Sequence, residues 1–161
     1  MVKETLDEHR PATKKGTPPP SPWTPVDGRL LEVSDLHVEF RTRDGVAKAI
    51  NGASFTLDQG ETLAILGESG SGKSVTAQAI MGILDSPPGF ITGGRIDYCG
   101  QDLLSVPRRT REKVRGAEIS MVFQDASTAL NPRMIVRDTL LDPLNVHGIG
   151  SPKDRLDRVK D

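Results

Sequence analysis

Hydrophobic and polar residues alternate over residues 30–40, with one interruption at Ser34, which predicts a β-strand with a local irregularity. An Asp-Gly pair at residues 44–45 is typical of a hairpin turn, so residues 46–57 are predicted to form a second strand. Residues 62–66 differ because they are almost wholly apolar. Such a run predicts a strand that is buried on both faces of a parallel sheet.

After this run, segments with the apolar spacing of helices alternate with segments typical of strands. In chain order the pattern predicts a helix over residues 73–84, a strand over 93–98, a short basic helix over 107–115, a strand over 119–123 and a helix over 135–146. Residues 151–161 are charged and show no completed pattern. Residues 1–29 hold six of the twelve prolines and only one aromatic side chain, Trp23, so this segment is predicted to be a disordered tail.

Composition narrows the function classes. The 161 residues carry a net charge of −1, which argues against a general polyanion binder, and we predict no nucleic-acid partner. The basic residues within 108–115 are interpreted as a solvated helix face. A single cysteine, Cys99, excludes an internal disulfide and is expected to be a small buried hydrophobe. No apolar run reaches the roughly 18 residues that span a bilayer, so we expect a cytosolic protein or one that reaches a membrane through a partner.

The apolar run is followed at once by a glycine-rich segment, which reads Gly67-Glu68-Ser69-Gly70-Ser71-Gly72-Lys73-Ser74. This is the Gly-x-x-x-x-Gly-Lys-Ser pattern of phosphate loops, in which glycines permit backbone angles and close approaches that a Cβ atom would forbid. Successive N–H groups and the start of the following helix attract an anion. Lys73 is expected to neutralise β- and γ-phosphate oxygens, and the Ser74 hydroxyl to ligate Mg²⁺. The segment therefore predicts binding of a nucleoside triphosphate, ATP.

Further motifs surround this loop. They are Leu-Glu-Val-Ser-Asp-Leu at 31–36, Ala-Ile-Asn-Gly-Ala-Ser-Phe at 49–55, Gly-Gln-Asp-Leu-Leu at 100–104, Met-Val-Phe-Gln-Asp at 121–125 and Leu-Asn-Pro at 130–132. With them, the stretch from residue 30 to about 148 resembles the front half of an ABC-transporter ATP-binding subunit. Within that family it is similar to the branch of oligopeptide, dipeptide and nickel importers.

The resemblance implies an α/β fold, the P-loop NTPase core of ABC type. It adds an N-terminal antiparallel β-subdomain and a truncation before the helical subdomain is complete. It divides the chain into a Pro-rich tail (1–29), the front half of the nucleotide-binding domain with its phosphate and glutamine loops (30–133), and the start of the helical subdomain (134–161).

The resemblance also assigns roles at matching positions. Gln124 corresponds to the glutamine that contacts Mg²⁺ and the attacking water, and with Lys73 it forms the expected catalytic pair. Phe40 lies where the family places an aromatic side chain on adenine, although an aromatic residue at a strand end is as often part of the core. The metal-binding residues implied are Ser74 and Gln124. The nucleotide-binding set is Phe40, Gly67, Glu68, Ser69, Gly70, Ser71, Gly72, Lys73, Ser74 and Val75.

Partners and location follow from the resemblance as well. It implies integral-membrane permease subunits, a second ATP-binding subunit in a dimer, and a peripheral position on the cytoplasmic face of the cell membrane. The family's acidic strand, switch histidine and Leu-Ser-Gly-Gly-Gln signature have no match in the chain. Asp142-Pro143 does not fit the acidic strand, and His147 belongs to a different segment. We therefore expect a truncated ATPase subunit of an importer for peptides or nickel.

Two alternatives stay open. A non-hydrolysing nucleotide-binding remnant or interaction protein would bind ATP without turnover. A small phosphate-loop kinase would need a lid of arginines, which the basic run at 108–115 could imitate, but the glutamine-loop motif disfavours this class.

Overall fold

Three long antiparallel strands organise the first part of the chain in the computed structural model, which describes residues 23–123 and 130–160. The central strand β1 (Arg29–Thr42) pairs with β2 (Gly45–Asp58) along one edge and with β3 (Gly89–Tyr98) along the other. The predicted strands at 30–40, 46–57 and 93–98 and the antiparallel β-subdomain are confirmed.

A fourth strand, β4 (Gln101–Asp102), is short and completes a sheet of order β2-β1-β3-β4. The interruption predicted at Ser34 is a bulge, since the register of β1 shifts between Val33 and Leu36, and Asp35 takes a φ of 49°. The Asp35 N–H donates to the Ser54 Oγ of β2 at 2.9 Å, which anchors the bulge to its neighbour.

Within residues 23–123 and 130–160, four helices follow or interrupt the strands: α1 (Lys73–Met81), α2 (Arg108–Val114), α3 (Val136–Val146) and α4 (Pro152–Lys160). Helix α1 ends earlier than the predicted residue 84. The reason is that Gly82 adopts a left-handed conformation, and the N–H groups just after the helix donate hydrogen bonds back to its last carbonyl groups.

Helix α4 lies where we predicted no regular element. Its start carries a local signal that apolar periodicity does not detect, because the Ser151 N–H donates to the Asp154 carboxylate at 3.1 Å and the Asp154 N–H donates back to Ser151 Oγ at 3.3 Å. This reciprocal pair is a capping arrangement that stabilises a helix N-terminus.

The hydrophobic core joins the sheet to α1 and α2. Its buried members are Val33, Leu36, Val38, Ile50, Ala79, Ile96, Tyr98, Cys99, Leu103 and Val114. Cys99 is buried, as predicted. Packing begins ahead of β1, since the Trp23 ring lies 5.6 Å from the Tyr98 ring, centroid to centroid, and Val26 bridges to Arg29.

Two predicted strands are wrong. Residues 62–66 form no strand, and Leu63, Ile65 and Leu66 are exposed. In the segment 119–123, Ile119 makes an isolated bridge to Arg115 and the residues after it are irregular. An apolar run becomes a buried strand only where neighbouring strands supply hydrogen bonds and a covering layer, and the four described strands pair only with one another. Among the described residues, no helix is long and apolar enough to cross a membrane.

Candidate functional site: a phosphate loop

The glycine-rich segment forms a loop that leads directly into α1. The Ser71 N–H donates to the Glu68 carbonyl at 3.2 Å, which closes a tight turn at the tip of the loop. Gly72 is the N-cap residue of α1, with a φ of 86° and a ψ of 3°. The first N–H groups of a helix have no intrahelical acceptor, so the loop presents unpaired backbone donors at the positive end of the helix dipole.

Glycine is required at one position of this loop, residue 72. A methyl group on Gly72 would lie 2.5 Å from the Ala49 carbonyl oxygen of β2, and the positive φ is itself unfavourable for other residues. A methyl group on Gly67 would lie 2.5 Å from the Ser71 Oγ, a side-chain atom that can rotate away. The backbone at Gly72 therefore approaches β2 more closely than a side chain would allow.

Lys73 folds back over the loop. Its ammonium donates to the carbonyl oxygens of Gly67 at 2.7 Å and Glu68 at 2.6 Å, and to the Ser71 Oγ at 3.2 Å. The positive charge is thus held at the mouth of the loop by three oxygen acceptors. Phosphate oxygens offer the same kind of acceptor with full negative charge, so the ammonium suits an anion placed in this loop.

A hollow of about 340 Å³ lies between β2 and the loop. Its lining includes Ser71, Lys73 and Thr76 from the loop and α1, the apolar residues Ile65 and Leu66, and residues 49–55 of β2. Other hollows of about 370 and 380 Å³ occur elsewhere on the chain, so volume alone does not single out a site. The hollow beside the loop is identified as the candidate site because a lysine, a helix N-terminus and a glycine backbone converge on it.

The residues predicted to bind nucleotide are brought together only in part. The loop residues Gly67 to Gly72 lie together with Lys73, Ser74 and Val75 of the first helical turn, with Ser74 exposed and Val75 packed against the core. Phe40 pairs with Ala47 and Gly89 in the sheet and is not among the residues that line the hollow. Gln124 lies outside the described residues.

The local pattern missed Thr76. It is buried, lines the hollow, and donates through its hydroxyl to the Gly72 carbonyl at 2.9 Å. The signal available in the sequence was a threonine four residues after the last loop glycine, at the spacing of one helical turn.

The donor set of the loop fits the phosphates of a nucleotide. Gly70 and Gly72 adopt left-handed conformations, and the helix N-terminus and the Lys73 ammonium lie at the same end of the loop, where one anionic group would contact both. Among the described residues, no cluster of His, Cys, Asp or Glu side chains could hold a metal ion. Among the residues that the structure describes, a metal at this loop would contact the Ser74 hydroxyl, together with oxygens of the nucleotide.

Comparisons with known proteins agree with this geometry. The oligopeptide transport ATP-binding protein OppD of Bacillus subtilis (strain 168) is 51% identical over 119 residues, covering 74% of this chain and 33% of that protein. The dipeptide transport ATP-binding protein DppD of Escherichia coli (strain K12) is 39% identical over 132 residues, covering 82% of this chain and 40% of that protein. The chain thus spans about a third of the length of these relatives.

A solved structure shares the fold. The dimeric post-hydrolysis state of the ATP-binding cassette MJ0796, bound to ADP and Pi, matches with a TM-score of 0.67 and 23% identity, over 81% of this chain and 54% of that one. This match confirms the predicted α/β fold of ABC type, of which the chain contains a part. A family model described as ABC transporter matches residues 50–161, and this match, with the relatives above, shows that the chain belongs to the ABC transporter family.

Proposed function

We propose that this chain is the phosphate-binding front part of an ATP-binding subunit of an ABC importer for peptides. The observation that carries the proposal is the Lys73 ammonium, held over the loop by the carbonyls of Gly67 and Glu68 in front of the N-terminus of α1. The relatives named for oligopeptide and dipeptide transport support the choice of branch.

The proposed ligand is ATP with Mg²⁺. Bound magnesium would neutralise charge between the β- and γ-phosphates. On the side of the protein, the loop N–H groups would hold phosphate oxygens and Lys73 would exchange its carbonyl acceptors for them. The Ser74 hydroxyl would contact the metal. For Gln124 we propose a role beside the metal and the attacking water, and for Phe40 a contact with adenine.

The proposed domain division keeps residues 1–29 as an N-terminal segment that packs against the sheet from Trp23 onwards. Residues 30–133 are the front half of the nucleotide-binding domain, and residues 134–161 are the start of a helical subdomain. The proposed partners are integral-membrane permease subunits and a second ATP-binding subunit, with the protein on the cytoplasmic face of the membrane. The dimeric state of the solved cassette supports pairing of two such domains.

The test is titration calorimetry of the full chain with Mg-ATP, comparing the wild type with Lys73→Ala. Removing the charge-assisted bonds is expected to weaken binding about 10- to 100-fold. Lys48→Ala is the matched control, because Lys48 is an exposed lysine on β2 whose loss should leave affinity unchanged. Equal affinity of wild type and Lys73→Ala would refute the proposal.

Release of inorganic phosphate, measured on the same samples, separates the two candidate activities. Turnover that disappears with Lys73→Ala would support an ATPase, whereas binding without turnover would support the non-hydrolysing alternative.

A further inference from the structure

Apart from the hydroxyl of Tyr98 and the thiol of Cys99, Thr76 is the one buried polar side chain among residues 23–123 and 130–160, with 6% of its surface exposed. It lies within the first turns of α1, and Ala79 of the same helix belongs to the core. A valine would fill the same volume in such surroundings without a polar atom to satisfy. Packing therefore does not explain why the side chain at this position carries a hydroxyl group.

The hydroxyl bonds to the last residue of the phosphate loop. The Gly72 carbonyl accepts two hydrogen bonds from Thr76, one from its backbone N–H at 2.8 Å and one from its Oγ1 at 2.9 Å. The backbone bond is the ordinary first bond of the helix. The side-chain bond of a threonine to the carbonyl four residues earlier adds little to helix stability and often bends the helix.

The second bond has a geometric consequence for the loop. The Gly72–Lys73 peptide bond is trans, so its C=O and N–H groups point in opposite directions. Because Thr76 holds the carbonyl towards the helix, the Lys73 N–H points out of the helix N-terminus towards the loop. On its other side Gly72 rests against the Ala49 carbonyl of β2. Gly72 thus lies between β2 on one side and the two hydrogen bonds from Thr76 on the other.

We propose that Thr76 is a positioning residue of the phosphate loop: its hydroxyl fixes the Gly72–Lys73 peptide plane so that the Lys73 N–H is aimed at the bound phosphate. The inference rests on the proposed nucleotide binding. The inference attributes to Thr76 a part of the affinity for nucleotide, although the Thr76 hydroxyl would act through the Gly72 carbonyl and not through contact with the phosphate.

The experiment compares Thr76→Val, which keeps the shape and removes the hydroxyl, with Thr76→Ser, which keeps the hydroxyl and removes a methyl group. In calorimetry of the full chain with Mg-ATP, Thr76→Val should bind about fivefold more weakly, the effect of one hydrogen bond, while Thr76→Ser should bind like the wild type. A packing role would give the opposite order, with Thr76→Ser impaired and Thr76→Val unchanged. That order, or equal affinity of all three proteins, would overturn the proposal.

Amide hydrogen exchange without nucleotide keeps the inference separate from the proposed function. In Thr76→Val the peptide covering residues 67–76 should exchange faster than in wild type and Thr76→Ser, and unchanged exchange would overturn the positioning role. If the wild type bound no Mg-ATP, the proposed function would fail, and this exchange measurement would still decide whether Thr76 orders the loop.

Discussion

Tyr98 shows how a single buried side chain acquires a property that its identity does not predict. It lies at the end of β3, 7% exposed, against the Trp23 ring. Burial disfavours the phenolate and, with smaller contributions from Cys99 and Glu118, raises the pKa of Tyr98 from 10.0 to about 12. Burial also raises the pKa of the neighbouring Cys99 thiol.

The raised pKa predicts a loss of stability at alkaline pH. Between about pH 10 and 12 the unfolded chain releases the Tyr98 proton while the folded chain keeps it, so the free energy of unfolding should fall as pH rises through this window. Tyr98→Phe retains the ring against Trp23 and should reduce this slope. Urea denaturation at several pH values measures it, and identical slopes for both proteins would contradict the assigned pKa.

At the scale of elements, the close approach of β2 to the start of α1 decides the geometry of the site. The contact depends on the absence of a side chain at Gly72, whose φ is 86° and whose added Cβ would meet the Ala49 carbonyl. Gly60 has a similar φ of 79° but open space around it. Substitution of Gly60 therefore tests the free-energy cost of the backbone conformation alone, whereas substitution of Gly72 adds the cost of a steric clash.

We expect Gly60→Ala to lower the free energy of unfolding by about 1–2 kcal/mol, the cost of a left-handed conformation for a residue with a Cβ atom. Gly72→Ala should cost more than this, because β2 and the loop must also move apart, and it should weaken binding of Mg-ATP. Chemical denaturation and calorimetry measure the two effects. Equal destabilisation by both substitutions would show that the β2 contact does not constrain the loop.

At the scale of the whole molecule, exposed apolar side chains occur on both segments that were wrongly predicted to be strands, residues 62–66 and 119–123. Leu66 is 91% exposed and Val122 is 95% exposed. Leu66 directly precedes the phosphate loop, and Val122 lies in the motif at residues 121–125. The solved cassette is nearly twice as long as the part of it that this chain matches. Exposed apolar runs without strand partners favour association with other chains.

The double variant Leu66→Lys with Val122→Lys should therefore reduce self-association, measured by light scattering, and leave the free energy of unfolding within about 0.5 kcal/mol of wild type. Val46→Lys is the control, because Val46 is an exposed valine on β2 and should change association less. A large loss of stability in the double variant would show that these side chains are buried within the chain itself.

The sequence by itself determined the strands β1 and β2, their hairpin and the groups that the loop offers to a phosphate. Alternation along β1 and β2, the hairpin at residues 44–45, and the Gly-Lys-Ser pattern are short-range signals, since each depends on residues adjacent in the chain. The bulge at Asp35 was visible as an interruption. The resemblance to a family, carried by motifs, also required no coordinates.

Tertiary structure alone decided which segments pair or become buried and which residues distant in the chain come into contact. The state of residues 62–66 depends on whether other strands pair with them, which no property of an apolar run can specify. The contact of Gly72 with Ala49 joins residues distant in the chain, and the burial of Thr76 follows from packing of α1 against the core. Local patterns set which groups are available for phosphate binding, and hydrogen bonds within residues 67–76 set where their donors point. Long-range packing sets where the loop lies against β2, because the contact of Gly72 with Ala49 depends on neighbours that sequence proximity does not supply.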